Sequence, residues 1–164
     1  MTQTLAEKDG DRISSVRFTA TPLPGNKGLV VKSGVAQVDF GGGAPGSGWT
    51  RGTVSLQLDL RAAMGRLTEG LGAKGAGPWT VEIEQSTVQV ALSSFFNAGQ
   101  AVNAGWAVDG ARLVPKDGGA EEVQLDVDLA VSDDSLIYRI SFSVLLVVSL
   151  SQAEPEKAAA VEQV

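Results

Sequence analysis

Residues 123 to 150, VQLDVDLAVSDDSLIYRISFSVLLVVSL, restrict the fold more than any other part of the chain. In the first half Val123, Leu125, Val127, Leu129 and Val131 alternate with Gln124, Asp126, Asp128 and Ala130. A period of two gives a strand one buried and one wet face. Ser132-Asp133-Asp134-Ser135 follows, with side chains that bond their own backbone and tolerate turn geometry. Alternation then resumes on Leu136, Tyr138, Ile140, Phe142, Val144, Leu146, Val148 and Leu150, with Arg139, Ser141, Ser143 and Ser149 opposite. The pattern predicts two strands joined as a hairpin by the connection 132–135.

The second of these strands is apolar on both faces around Leu145 and Val147, which predicts that VLLVV is covered on both sides. The cover is either a second layer of the same chain or a neighbouring subunit, which makes Leu145 and Val147 candidate interaction residues. The run from Val144 to Val148 is far shorter than the roughly 20 apolar residues of a membrane-spanning helix, so no membrane span is expected.

The length of 164 residues suits one domain with one substantial core. Hydrophobic residues make up 43% and charged residues 20%, which argues against wholesale disorder, and the 20 glycines with many Val, Thr and Ser favour strands joined by turns. Cysteine and histidine are both absent. Their loss removes disulfides, thiolate and imidazole metal sites, cysteine nucleophiles and imidazole-dependent triads. No catalytic residue, metal site or cofactor site is picked out, and the chain reads as non-enzymatic. A net charge of −6 with scattered Lys and Arg points away from nucleic acid. The polar start, Met1 to Arg12, has no apolar core of a signal peptide, so synthesis in the cytoplasm is expected, with release or display as part of an assembly left open.

Taken in order, residues 1–12 read as a flexible arm that orders only against a neighbour. Ile13 to Thr21 is a strand, ended by Pro22-Leu23-Pro24-Gly25-Asn26. Leu29 to Phe40 reads as two pieces hinged at Ser33-Gly34, with the glycine a candidate bulge. Thr53 to Leu60 alternates cleanly. The spacing of Leu60, Ala63, Met64, Leu67 and Leu71 then changes to 3 and 4, predicting a short helix near residues 61–71 that caps the β structure. Trp79 to Leu92 is one bent strand or two strands. Ser93 to Val102 reads as a loop exposing Phe95 and Phe96, and Gly105 to Val114 as a hairpin element turning at Asp109-Gly110. Residues 152–164 read as a flexible, alanine-rich tail.

Four groups of residues invite chemistry. Gly41 to Gly48 could bring backbone N–H groups to an anion, but the Lys-Ser/Thr pair of a phosphate loop is missing and Trp49 follows. Asp126, Asp128, Asp133 and Asp134 offer oxygen ligands for calcium without the D-x-D-x-D-G spacing of a calcium loop. Glu82 and Glu84 could act as acid and base in a carboxylate-based hydrolase. Trp49, Trp79, Phe95, Phe96 and Trp106 lie in or beside glycine-rich stretches, where rings pack strand ends, anchor protein interfaces or stack on sugars. Trp49, Phe95, Phe96 and Trp106 join Leu145 and Val147 as the candidate interaction residues.

The stretch from Val88 to Val148, with VQVALSSFF, AGWAVDGARL, VQLDVDL and YRISFSVLLVV, resembles the strand rhythm of small H-type lectin-like sandwiches. The resemblance covers about 60 residues of strand pattern and implies a sandwich and glycan binding.

Together these readings predict an all-β chain: an antiparallel β-sandwich or flattened barrel over residues 13–151, with one short capping helix. The function expected of it is a non-catalytic structural or interaction module. It would be a self-associating subunit of a shell, tail or appendage, partnered by copies of itself or by other subunits. A carbohydrate-binding module using Trp49, Trp106 and Phe96 is the first alternative, and a hydrolase the second.

Overall fold

A computed structural model of the chain describes residues 2–7, 12–44, 46–70, 79–97, 104–116 and 120–152. The elements in order are β1 (Thr2–Ala6), β2 (Ile13–Leu23), β3 (Lys27–Gly41), β4 (Trp49–Asp59), α1 (Arg61–Gly70), β5 (Trp79–Asn97), β6 (Gly105–Pro115), β7 (Glu122–Ser132) and β8 (Ser135–Gln152). They form two four-stranded sheets, β1-β4-β7-β6 and β2-β3-β8-β5, packed face to face over one apolar layer. The fold is an all-β sandwich with one short helix. Every pairing is antiparallel except that of β1 with β4.

Alternation builds the core. Val30, Val38 and Phe40 of β3 and Ile140, Phe142, Val144, Leu146 and Val148 of β8 face Val54, Leu56 and Leu58 of β4 and Leu125, Val127 and Leu129 of β7. Each such side chain contributes about 1.5–3 kcal/mol by leaving water. The helix starts where the Asp59 carboxylate accepts the Arg61 N–H at 3.0 Å, satisfying a first-turn donor. Its buried face is Ala63, Met64 and Leu67. Leu67 lies on Gly28 of β3, where an added Cβ would stand 2.5 Å from Leu67 Cδ1, and Arg66 lies over the Phe18 ring of β2 at 4.7 Å. The helix therefore docks on the β2 side of its sheet, where it serves as the expected cap.

Several expectations are corrected. β7 and β8 are not a hairpin: they belong to opposite sheets, and the short turn at Asp133-Asp134 carries the chain across the core. Asp133 supports that turn in the left-handed region at φ 52°. Along β8 the inward face is Ile137 and then Ile140, so Tyr138 is exposed instead of sharing the inward set. The slip is a bulge, seen where Ser94 and Phe95 oppose Arg139 and Ile137. β3 is continuous through Gly34, and its irregularity lies between Gln37 and Phe40, where Asp39 has φ 46°. Gly34 instead makes room for the Phe142 ring, whose Cζ would be 2.8 Å from an added Cβ. Asp109-Gly110 is a bulge within one strand, β6, and not a turn. Phe95 and Phe96 sit in β5 and not in a loop. Residues 2–6, expected in a flexible arm, form β1 with Leu5 buried in the core. Of the tail expected at 152–164, Gln152 ends β8 and residues 153–164 lie outside the described residues.

Candidate functional site

The structure gathers the loop aromatics at one end of the sandwich, along the seam between β5 and β6. The rings of Phe95 and Trp106 are 4.8 Å apart and tilted by 45°, and Trp106 Nε1 donates to the Phe96 carbonyl at 3.3 Å. Trp49 reaches the same end from β4. It opposes Ser132 in register, as Gly105 does from the other side of β7. Its ring covers Gly105, where an added Cβ would be 2.7 Å from Trp49 Cη2. Trp49 is 54% and Phe96 59% exposed. The rings do not share a plane of presentation. Thr50 opposes buried Val131, so Trp49 projects from the outer face of its sheet, while Phe95 and Trp106 fill the seam. Trp79 stands at the far end of β5, opposite Gln152, and is half-buried against the core.

Leu145 and Val147 belong to a second surface, the outer face of the β2-β3-β8-β5 sheet. Register places Leu145 beside Val31 and Val147 beside Leu29 on the two central strands. Thr19 and Thr21 of β2 flank this block on one side, with Thr87 and Gln85 of β5 on the other. Below it lie Ser33 and Ser143, then Val35 and Ser141. The block is four apolar side chains bordered by hydroxyl and amide side chains, with Lys27, Glu82, Arg17 and Arg139 further out on the same face. Leu145 is 36% exposed. Among the described residues no second layer of this chain covers the face, so of the two covers expected over VLLVV the same-chain layer is not found on the outer side.

The outer face of the other sheet is its chemical opposite. Asp126 accepts from Ser55 Oγ at 2.6 Å, Gln124 Nε2 at 2.8 Å and Arg112 Nη2 at 3.2 Å. Asp128 accepts from Thr53 Oγ1 at 2.7 Å and Arg112 Nη1 at 2.8 Å. Burial opposes ionisation of Asp126, but these hydrogen bonds and the Arg112 charge outweigh it and hold the carboxyl below the usual aspartate range. The Arg112 guanidinium forks between the two carboxylates and offsets part of their charge. Among the described residues no group of three or more acidic side chains is placed to hold a metal ion.

Of the remaining carboxylates, Glu84 and Asp133 have local partners, while Asp134 Oδ1 is buried without a hydrogen-bond partner. Glu84 pairs with Lys27 Nζ at 2.7 Å. Glu82 stands on the same edge strand, opposite Ser149. The glycine-rich segment is a crossover between the sheets, with Gly41, Gly42, Gly46 and Gly48 at positive φ. The Asp133 carboxylate accepts the Gly48 N–H at 3.1 Å, and the Asp133 N–H donates back to the Gly48 carbonyl at 2.9 Å. A carboxylate thus occupies the place a phosphate would need.

A charged site that sequence reasoning missed lies at the helix start. Lys32 points inward from β3 with its side chain 4% exposed. Its ammonium holds both oxygens of Glu7 at 2.7–2.8 Å and donates to the Asp59 carbonyl. Glu7 also accepts the Asp59 N–H at 2.9 Å. The Asp59 carboxylate, hydrogen-bonded by the Arg61 side chain, is lowered from 3.8 to about 2. These groups border a cleft of about 420 Å³ with Val16, Phe18 and Ala62. Its two cations and two carboxylates are matched to each other, so the cleft carries a closed ion-pair network. The signal was present in the sequence: Lys32 is in phase with Val30, Ala36 and Val38.

No family model matches the chain, and no curated protein or solved structure shows significant similarity to it. No helix among the described residues is long and apolar enough to cross a membrane. A functional reading therefore rests on these surfaces.

Proposed function

We propose that this chain is a non-catalytic structural module that associates with copies of itself as a subunit of a larger assembly. The observation that carries the reading is the uncharged block at the centre of the outer face of the β2-β3-β8-β5 sheet, with Leu29, Val31, Leu145 and Val147 side by side on its central strands. A contiguous apolar patch of this kind marks an interaction surface. The aromatic end supplies a second contact region in Trp49, Phe95 and Phe96. Two distinct contact regions are what extension beyond a closed dimer requires. The ionisable groups weighed as catalytic or metal-binding support the same reading, because Asp126 and Asp128 share the Arg112 guanidinium and Glu84 pairs with Lys27.

Light scattering behind a sizing column tests this on the full chain at high micromolar concentration. The expected result is a defined mass that is a whole multiple of one chain. A monodisperse monomer refutes the proposal. A carbohydrate-binding reading would use the same exposed rings, but stacking on a sugar favours rings presented side by side on one face. Here Trp49 stands outside one sheet while the Phe95–Trp106 pair, with Phe95 half exposed, lies along the seam, which ranks protein contact above glycan. Tryptophan fluorescence that responds to added sugars would reverse that ranking.

A further inference from the structure

We infer that the outer face of the β2-β3-β8-β5 sheet is a homodimer interface in which two copies stack about a two-fold axis running along β3 and β8, midway between them. This rests on the self-association proposed above and names its geometry.

The argument starts from register. Residues opposite one another in an antiparallel pair share a face, so the pairings read as rows crossing the sheet. Two adjacent rows are Thr21-Leu29-Val147-Gln85 and Thr19-Val31-Leu145-Thr87. Rotation about an axis between β3 and β8 returns each row onto the same row of the other copy with strand order reversed. Leu29 then lies over Val147 and Val31 over Leu145, in both directions at once. The apolar block is its own complement. That is the requirement for an isologous contact, and it is met without moving any strand.

Charge agrees with the same axis. Lys27, paired with Glu84 in its own chain, is carried over Ser149, Glu82 over Leu23, Arg139 over Gln37, and Arg17 over Gln89. No like charges are opposed. A second copy is favoured over an oppositely charged partner because the apolar rows carry no charge for such a partner to read.

Area separates this axis from the other in-plane choice. Four strands about 4.8 Å apart and the rows from Lys27 to Gln37 at about 3.3 Å per residue span roughly 19 by 33 Å. That is about 600 Å² per copy, or about 1,200 Å² in all, at the lower bound for a stable specific interface. A two-fold axis perpendicular to the strands can superpose the apolar block on itself only by placing Leu29 over Val31. The rows beyond Ser33 then overhang, and the overlap falls to about 800 Å² in all, the range of adventitious contacts. The usual rotation of about 30° between stacked sheets is compatible with the axis along the strands.

The test compares Val31→Glu, Leu145→Lys and an equimolar mixture of the two full-length variants by light scattering, with circular dichroism recording that each keeps its strands. Each variant alone would bury two unpaired like charges in a homodimer. A rise in the dissociation constant of about 100-fold or more is expected, leaving monomer at micromolar concentration. In the mixture the new carboxylate of one chain lies against the new ammonium of the other, and the dimer returns as a heterodimer. Ser33→Glu with Ser143→Arg repeats the exchange one row further on without touching an apolar residue, and decides the matter if either first variant fails to fold. A monomeric wild-type chain overturns both this inference and the self-association it rests on. An oligomer indifferent to all four substitutions overturns this face and leaves self-association standing. Variants that are monomeric alone and stay monomeric when mixed overturn the two-fold arrangement.

Discussion

Replacing Lys32 by methionine removes a charge while keeping most of the buried stem, and so isolates the contribution of the ammonium. In the folded chain that ammonium is nearly sealed from water and joins three segments: β3 in one sheet, the end of β4 in the other, and the residue following β1. Removing one partner of a buried ion pair costs about 3–5 kcal/mol, because the other charge is left desolvated. Glu7 retains 21% of its side-chain exposure and its hydrogen bond from the Asp59 N–H, so the expected loss is smaller, about 2–3 kcal/mol. For a chain of this length that lowers Tm by about 5–10 °C. Adding Glu7→Gln to Lys32→Met removes the stranded carboxylate while keeping an acceptor for the Asp59 N–H, and recovers about 1–2 kcal/mol. Urea unfolding of wild type, both single variants and the double variant closes the cycle. If Lys32→Met lies within about 0.5 kcal/mol of wild type, or the double variant is no better than Lys32→Met, the pair is not the inter-sheet clamp described here.

Three further outcomes follow from the same geometry. Leu67→Ala removes a fully buried side chain between α1 and Gly28, and thermal unfolding is expected to show a loss of about 3–4 kcal/mol. Asp59 is ionised more easily folded than unfolded, so its contribution is complete above about pH 4 and is lost as pH falls toward 2. Asp59→Asn lowers stability at neutral pH by about 1 kcal/mol, since the solvent-exposed Arg61 partner is screened, and flattens the stability profile across that acid window, as read by chemical unfolding at stepped pH. Gly105→Ala puts a methyl group into the Trp49 ring, which is expected to shift tryptophan emission to longer wavelength while the core strands keep their hydrogen-exchange protection.

What could be read from the sequence follows from what alternation encodes. A period of two reports that one strand face is buried, so most of β2, β3, β4, β7 and β8 was legible, as was the switch to helical spacing at Leu60. Alternation does not report which sheet a strand joins. Val123 to Leu150 would read the same as a hairpin or as two strands facing each other across the core, and the chain does the latter. Bulges defeat phase-counting locally, so simple alternation points Tyr138 inward and makes Asp109-Gly110 look like a turn. β1 holds one buried apolar residue, Leu5, too little signal to separate it from a polar arm. The aromatic candidates Trp49, Phe95 and Trp106 converge only because the β3–β4 and β5–β6 connections both cross between sheets, a long-range fact absent from local pattern. Lys32 was overlooked because its partners Glu7 and Asp59 lie 25 and 27 residues away.

The two outer faces show why association is assigned to one side of the molecule. Both are built from central strands with the same alternation, yet one sheet presents Thr53, Ser55, Asp126 and Asp128, and the other Leu29, Val31, Leu145 and Val147. Groups on the first face already hold each other: the carboxylates of Asp126 and Asp128 are satisfied by Ser55, Thr53, Gln124 and Arg112. Covering that face would strip water from charges whose mutual attraction is already realised, with little new attraction in return. Covering the second face removes apolar side chains from water and leaves serine and threonine hydroxyls free to pair across the contact. Desolvation would therefore oppose association on the first side and favour it on the second. Because the block on the second side is self-complementary about one axis, the homodimer proposed above would use that face.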